Sequence, residues 1–212
     1  MPRSRSDRRS APRRPLGGKP AGRLAVLGLV AALVLGGSLL LLMRLHPTDD
    51  TAGLRLGGDF HLVADTGHMV TPASFGGRYL LIYFGYTHCQ DVCPTTLVTI
   101  ANAMAALGAK AARVQPLFIT VDPGRDTPAV LRRYLAQFGG NVLGLTGDTQ
   151  AIAAAERRFH ITAIRFADPD GGYDFDHTSV LILAAPDGRI IAPIRADESP
   201  SAIAAILSRA LS

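Results

Sequence analysis

The stretch GYTHCQDVCP, residues 85–94, contains both cysteines of the chain, Cys89 and Cys93. It follows an almost continuous apolar run over 79–84, which is typical of a strand covered on both faces. A helical apolar pattern follows over 95–107. The proline after Cys93 suits a first helical turn, so we expect Cys93 at the helix start and Cys89 in the preceding loop. A helix N-terminus there would favour the thiolate at Cys93.

The rest of the chain alternates strand and helix patterns after residue 56. In order, these are a β-hairpin over 59–70, a strand over 116–121, a helix from Thr127, a strand over 142–145, a helix from Asp148, a strand over 175–184, its partner over 189–194, and a helix from Ser199. Strands that alternate with helices predict an α/β fold with a few parallel strands and an antiparallel edge.

The N-terminal quarter has a different composition. Residues 1–23 hold eight Lys or Arg and one Asp, and they predict a basic disordered tail. Residues 24–43 carry no charge and would form a helix about 30 Å long, which matches one transmembrane anchor. A polar linker over 44–55 and the folded domain over 56–212 complete the predicted organisation. The positive-inside rule places the tail in the cytoplasm and the domain on the far side. A mitochondrial presequence is the second interpretation.

The overall charge does not indicate a nucleic-acid partner. The chain carries a net charge of +5, but its basic excess lies in residues 1–23, so the folded part is slightly acidic. Nucleic-acid binding needs basic residues clustered on a folded face, and the sequence has no such cluster.

The cysteine pair has three interpretations. It could form a structural disulfide, but a bridge that closes so short a loop would constrain little chain entropy. It could be a catalytic dithiol with a redox disulfide between Cys89 and Cys93. It could also supply two soft ligands for Cu(I) or zinc, and a metal site would then need a histidine from elsewhere.

The histidines differ in their surroundings. Five of the six are expected to be ordinary linker, hairpin, loop or surface residues: His46, His61, His68, His88 and His160. His177 is the exception, because it lies after a Gly-Gly loop and just before the strand pattern at 180–184. Loops at the ends of strands converge on one rim of a parallel sheet, so this loop could face the cysteine loop.

Three motifs together resemble the Sco/SenC family. They are Tyr83-Phe-Gly-Tyr-Thr-His-Cys-Gln-Asp-Val-Cys-Pro94, Val121-Asp-Pro-Gly-Arg-Asp-Thr-Pro128, and Asp176-His-Thr-Ser179 followed by Pro186-Asp-Gly188. The resemblance runs in order over 56–212 and includes the preceding membrane anchor.

The resemblance implies a thioredoxin-like fold in the periplasm, anchored in a bacterial inner membrane by a single pass with a cytoplasmic N-terminus. It implies one copper ion, as Cu(I) or Cu(II), bound by Cys89, Cys93 and His177. The implied role is a copper chaperone for the CuA centre of cytochrome c oxidase, with oxidase subunit II or another copper-site protein as acceptor. A periplasmic thiol reductase or copper donor would be a further partner.

Two alternatives to the chaperone stay open at this point. Some members of the family are proposed to act as thiol–disulfide reductases, which here would reduce the cysteines of the oxidase copper site. A redox or copper sensor without a delivery role is the third interpretation.

The chain departs from related patterns at two places. Gln90 stands where the family usually has proline, which adds a backbone N–H to the loop. Thioredoxin-type oxidoreductases usually carry a cis-proline beside their dithiol, and Asp176-His177-Thr178 stands in that neighbourhood, which favours metal binding over general disulfide exchange. Asp176 is predicted to orient His177. The pair Asp122 and Asp126 is interpreted as a turn and a helix start.

Overall fold

A computed structural model of the chain describes residues 36–38, 58–169 and 171–212. The chain divides into two compact units, Met1–Gly53 and Leu54–Ser212. The predicted tail (1–23) and linker (44–55) lie outside the described residues. So does the predicted anchor (24–43), apart from residues 36–38, which are helical.

The second unit is built on a seven-stranded sheet. The strands in chain order are β1 Leu62–Ala64, β2 Met69–Val70, β3 Tyr79–Gly85, β4 Val114–Thr120, β5 Leu143–Thr146, β6 Ala163–Ala167, β7 Tyr173–His177, β8 Val180–Ala184 and β9 Ile190–Arg195. The order in the main sheet is β2-β1-β5-β4-β3-β8-β9. Strands β3, β4 and β5 are parallel, whereas β8 and β9 form an antiparallel edge, as the pattern predicted. At the other edge, β1 pairs antiparallel with both β2 and β5.

Four α-helices pack on the sheet: α1 Val92–Leu107, α2 Pro128–Leu135, α3 Thr149–Arg158 and α4 Pro200–Ala210. Short 3-10 segments cover Pro72–Phe75 and Gly108–Arg113. The predicted starts of α2, α3 and α4 are confirmed, because the side chains of Thr127, Asp148 and Ser199 each accept a backbone N–H of the first turn.

The core lies on both faces of the sheet, because side chains alternate along β3. Leu81 and Tyr83 point to the face that α1, α2 and α4 cover, and Cys93 belongs to the same buried cluster. Ile82 and Phe84 point to the face that α3 covers. The predicted two-sided burial of this strand is therefore confirmed.

One local prediction is wrong. The run over 175–184 is two strands in different sheets, because the chain leaves β7 at His177 and enters the main sheet only at Val180. Strand β7 pairs instead with β6, in a separate two-stranded sheet. Helix α1 begins at Val92, so Cys93 and Pro94 lie in its first turn and Cys89 lies in the preceding loop, as predicted.

Among the described residues, one helical run has the length and apolar composition of a membrane span, Val92–Arg113. It consists of α1 and the 3-10 segment that follows. The apolar side of α1 packs in the domain core through Leu97, Ile100 and Leu107, which accounts for its composition.

Candidate metal centre

Two loops meet at one end of the main sheet. The first runs from the end of β3 at Gly85 to α1 and carries Cys89. The second joins β7 to β8 and begins at His177. Because β3 and β8 are antiparallel neighbours, the end of β3 and the start of β8 lie at the same end of the sheet. The loops therefore face each other, as the sequence pattern suggested.

The structure brings Cys93 and His177 into direct contact. The distance from Cys93 Sγ to His177 Nε2 is 3.7 Å. Cys89 is beside them, with its Sγ accepting the backbone N–H of Cys93 at 3.4 Å, and both cysteines are free thiols. Over the described part of the chain, no three His, Cys, Asp or Glu side chains are grouped so that they could hold a metal ion. A three-ligand site therefore requires Cys89, which is partly exposed, to change its side-chain conformation.

The two sulfurs have opposite electrostatic surroundings. A hydrogen bond from the Cys93 side chain lowers the pKa of Cys89 to about 5, and backbone N–H groups of the first turn of α1 add to this shift. The hydrogen bond to Cys89, together with complete burial, raises the pKa of Cys93. The predicted thiolate at Cys93 is therefore wrong, and the thiolate lies on Cys89. The main reason is that the Cys93 side chain donates to Cys89 while Cys93 itself is buried, and the free amides at the start of α1 add to the effect.

This asymmetry predicts the pH dependence of thiol reactivity in the reduced, metal-free protein. Only thiolates react with iodoacetamide. Alkylation of Cys89 should therefore rise with a midpoint near pH 5 and level off above it, since its pKa is about 5. Peptide mapping by mass spectrometry at each pH measures the rate for each cysteine.

Two controls accompany that measurement. In the unfolded chain, the Cys89 rate should keep rising to about pH 8.5, the ordinary range of a thiol. In the folded Cys89→Ser variant, the remaining buried Cys93 should react slowly across the whole range. A folded-state midpoint for Cys89 close to the unfolded one would contradict the assignment.

The imidazole of His177 is oriented by the backbone. Its Nδ1 lies 3.2 Å from the carbonyl oxygen of Thr178, and a carbonyl can only accept, so Nδ1 carries the proton. Nε2 of the neutral ring then presents its lone pair toward Cys93. Asp176 is exposed and belongs to the opposite side of β7, so the predicted orienting role of Asp176 is wrong.

The residues beneath Cys93 fix the position of its sulfur. The hydroxyl of Tyr83, in the middle of β3, donates to Cys93 Sγ at 3.6 Å. Gly85 lies against the sulfur so closely that a Cβ at this position would be 2.9 Å from Sγ. Only glycine leaves room there. Burial is the main reason that the pKa of Tyr83 is raised, so its hydroxyl keeps its proton.

A buried carboxylate holds the cysteine loop in place. Asp126 has 0% exposure, and its oxygens accept from Thr87 N at 3.0 Å, from Thr87 Oγ1 at 2.6 Å and from Thr120 Oγ1 at 2.6 Å. Thr87 lies two residues before Cys89. Asp126 therefore connects the end of β4 to the loop that positions the thiols.

The same segment also holds the strand that carries His177. Arg125 donates to the carbonyl oxygen of Tyr173 at 3.0 Å, and its guanidinium lies 3.9 Å from the centroid of the Tyr173 ring. The Tyr173 hydroxyl donates to Asp122 at 3.0 Å, and Asp122 also forms an ion pair with Arg125. The ring of Tyr86 packs edge-on against His177, with centroids 5.8 Å apart. The segment from Asp122 to Asp126 therefore holds both the cysteine loop and β7 in place.

Sequence reasoning missed this supporting role. The sequence pattern predicts only a turn and a helix start over Asp122 to Asp126, and the Pro-Gly pair does make a turn. The signal available in the sequence was an Arg and two Asp in a loop directly after a buried strand. Their partners, Thr87 and Tyr173, are too distant in sequence for local patterns to reveal.

The fold and the site together define a class of protein. A helix-covered mixed sheet with a dithiol at a strand-to-helix junction is characteristic of thioredoxin-like proteins, and here a histidine lies across from the dithiol. The chain belongs to the SCO1/SenC family, because the family model of that description matches residues 48–212. The thioredoxin-like α/β fold of this family is the fold observed.

Individual relatives agree with this assignment. A SCO2-like protein from Rickettsia felis is 35% identical over 187 residues, which cover 82% of this chain and 91% of the relative. The structure of Bradyrhizobium japonicum ScoI with copper bound is similar at 42% identity and a TM-score of 0.67, and covers 73% of this chain and 98% of that one. Yeast Sco1 with copper bound is similar at 32% identity and a TM-score of 0.65, with 74% and 89% covered.

Proposed function

We propose that the chain is a membrane-anchored copper chaperone that binds copper through Cys89, Cys93 and His177 and helps to assemble the CuA centre of cytochrome c oxidase. The observation that carries this proposal is the 3.7 Å approach of His177 Nε2, with its lone pair available, to Cys93 Sγ. With bonds of about 2.3 Å to sulfur and about 2.0 Å to nitrogen, two ligands of one ion at a roughly trigonal angle lie about 3.7 Å apart. This pair therefore fits one metal ion.

The donor set favours copper. Two soft thiolates and one imidazole suit Cu(I), and the same site accommodates Cu(II) when an oxygen ligand is added. Copper is present in the solved relatives from Bradyrhizobium japonicum and yeast. Copper loading requires the reduced dithiol, so the redox state of the cysteines and the metal state are linked. Cys89, which is partly exposed, is the ligand that an acceptor reaches first, since Cys93 is buried.

The proposed location follows from the apolar stretch over 24–43. We place it as a single pass through a bacterial inner membrane, with residues 1–23 in the cytoplasm and the domain over 56–212 in the periplasm. The acceptor is then oxidase subunit II or another copper-site protein, and a periplasmic thiol reductase or copper donor keeps the site reduced and supplied. N-terminal sequencing of the membrane fraction tests the anchor: a start beyond Met43 would show that the stretch is cleaved.

Copper binding by the reduced protein tests the main proposal. We expect one Cu(I) per chain, measured by metal analysis and by competition with a Cu(I) chelator under anaerobic conditions. Oxidation of the Cys89–Cys93 pair to the disulfide should release it. Copper that stays bound after oxidation, or a reduced protein that binds none, would contradict the proposal.

The second candidate function is thiol–disulfide reduction, and it is supported by the different roles of the two thiols. Cys89 has a lowered pKa of about 5 and is partly exposed, whereas Cys93 is buried beside it, as in a dithiol whose first sulfur attacks a disulfide. In that reaction Cys89 and Cys93 are oxidised to a disulfide, and two electrons and two protons pass to the partner, whose disulfide becomes two thiols. The oxidase copper site would be the substrate.

A further inference from the structure

Tyr83 is rigidly placed beside the sulfur of Cys93. It has 0% exposure and lies in β3, an interior strand of the sheet, in register with Phe118 of β4 and Leu181 of β8. Its ring packs against Phe118 with centroids 5.9 Å apart. Its hydroxyl donates to Cys93 Sγ at 3.6 Å, a normal length for a bond to sulfur.

The sulfur has little freedom to leave this hydrogen bond. Gly85 closes one side, because even a single added carbon there would come within 2.9 Å of Sγ. His177 Nε2 lies on another side at 3.7 Å. The ring of Tyr83 is also edge-on to His177, with centroids 6.3 Å apart. Tyr83 therefore contacts both the sulfur and the imidazole of the site.

We propose that Tyr83 is a positioning residue of the copper site, whose hydrogen bond to Cys93 Sγ favours Cu(I) over Cu(II). The inference rests on the proposed function. A hydrogen bond to a ligating sulfur withdraws electron density from it, and hydrogen bonding around a cysteine sulfur is one of the factors that tune copper potentials. Cu(II) depends more than Cu(I) on electron donation from the thiolate, so the bond penalises the oxidised ion. A chaperone that holds Cu(I) gains from this preference.

Tyr134 offers a matched control. Its hydroxyl is also buried, but it has no hydrogen-bond partner. Like the ring of Tyr83, its ring packs against Phe118, with centroids 6.0 Å apart. Tyr134→Phe therefore removes a buried oxygen near the site without removing a bond to sulfur.

The test compares Tyr83→Phe and Tyr134→Phe in the full-length protein in detergent, loaded with copper. For Tyr83→Phe we expect the ratio of Cu(I) to Cu(II) affinity to fall about tenfold, as for the loss of an outer-shell partner. This tenfold change corresponds to a Cu(II)/Cu(I) reduction potential about 59 mV lower than that of the wild type. The sulfur-to-Cu(II) charge-transfer band should move to longer wavelength. Tyr134→Phe should leave the potential and the band unchanged.

Each other outcome has a definite meaning. Tyr83→Phe removes one oxygen and keeps the ring packing, and thermal unfolding checks that the variant folds. If the potential shifts equally in both variants, the polarity of the surroundings and not the hydrogen bond sets it, and the inference is wrong. If the wild type and Tyr83→Phe bind copper with the same potential, the inference is wrong while the copper site stands. If the wild-type protein binds no copper, the proposed function fails and the inference with it.

Discussion

His177→Ala should lower the Cu(I) affinity of the reduced protein by at least about 100-fold. Loss of an outer-shell partner already costs about 10- to 100-fold in metal affinity, and His177 is proposed as a direct ligand. In the described part of the chain, no other imidazole nitrogen lies within hydrogen-bond distance of either sulfur. The measurement is competition with a Cu(I) chelator, with both cysteines kept reduced.

His61→Ala is the matched control, because His61 is exposed on the N-terminal edge of the domain. It should bind copper like the wild type. Unchanged copper affinity in His177→Ala would mean that the site lacks this ligand. The same variant separates the two candidate functions: reduction of a partner disulfide should survive His177→Ala but not Cys93→Ser, if the chain acts as a reductase.

Asp126→Ala should destabilise the domain by about 3 kcal/mol and weaken copper binding as well. The change leaves Thr87 N, Thr87 Oγ1 and Thr120 Oγ1 without their acceptor. Hydrogen bonds to a charged group contribute about 1.5–3 kcal/mol each, and breaking a buried charged network costs about 3–5 kcal/mol. Because Thr87 belongs to the cysteine loop, the thiols should also lose their fixed spacing. Urea unfolding of the metal-free protein and Cu(I) competition measure the two effects.

Asp148→Ala distinguishes this effect from general destabilisation. Asp148 is exposed, and its carboxylate caps α3 by accepting from Ala151 N at 2.7 Å. Loss of such a cap costs about 1 kcal/mol and should not affect copper binding. If Asp126→Ala lowered stability but bound copper with wild-type affinity, the loop would not need this carboxylate to hold its ligands.

The main architecture was predictable because its signals are local. The apolar run before Gly85 is long enough to identify a strand buried on both faces, and the caps at Thr127, Asp148 and Ser199 act within one turn. The break between β7 and β8 was not predictable in this way. The residues over 175–184 all suit a strand, and pairing with β6 decides where the first strand ends.

The features of the candidate site also fall into those that the sequence predicts and those that only the structure shows. By itself the sequence determined that two cysteines lie at a strand-to-helix junction, and that His177 begins a strand whose neighbouring loops converge on that rim. Only the tertiary structure decided which sulfur is the thiolate, since that depends on the hydrogen bond between the two cysteine side chains and on the burial of Cys93. Only the tertiary structure showed that Asp126 and Tyr83 support the loop and the sulfur. The physical reason is that hydrogen bonds and burial act between residues that the fold brings together, whereas apolar periodicity and capping act between neighbours along the chain.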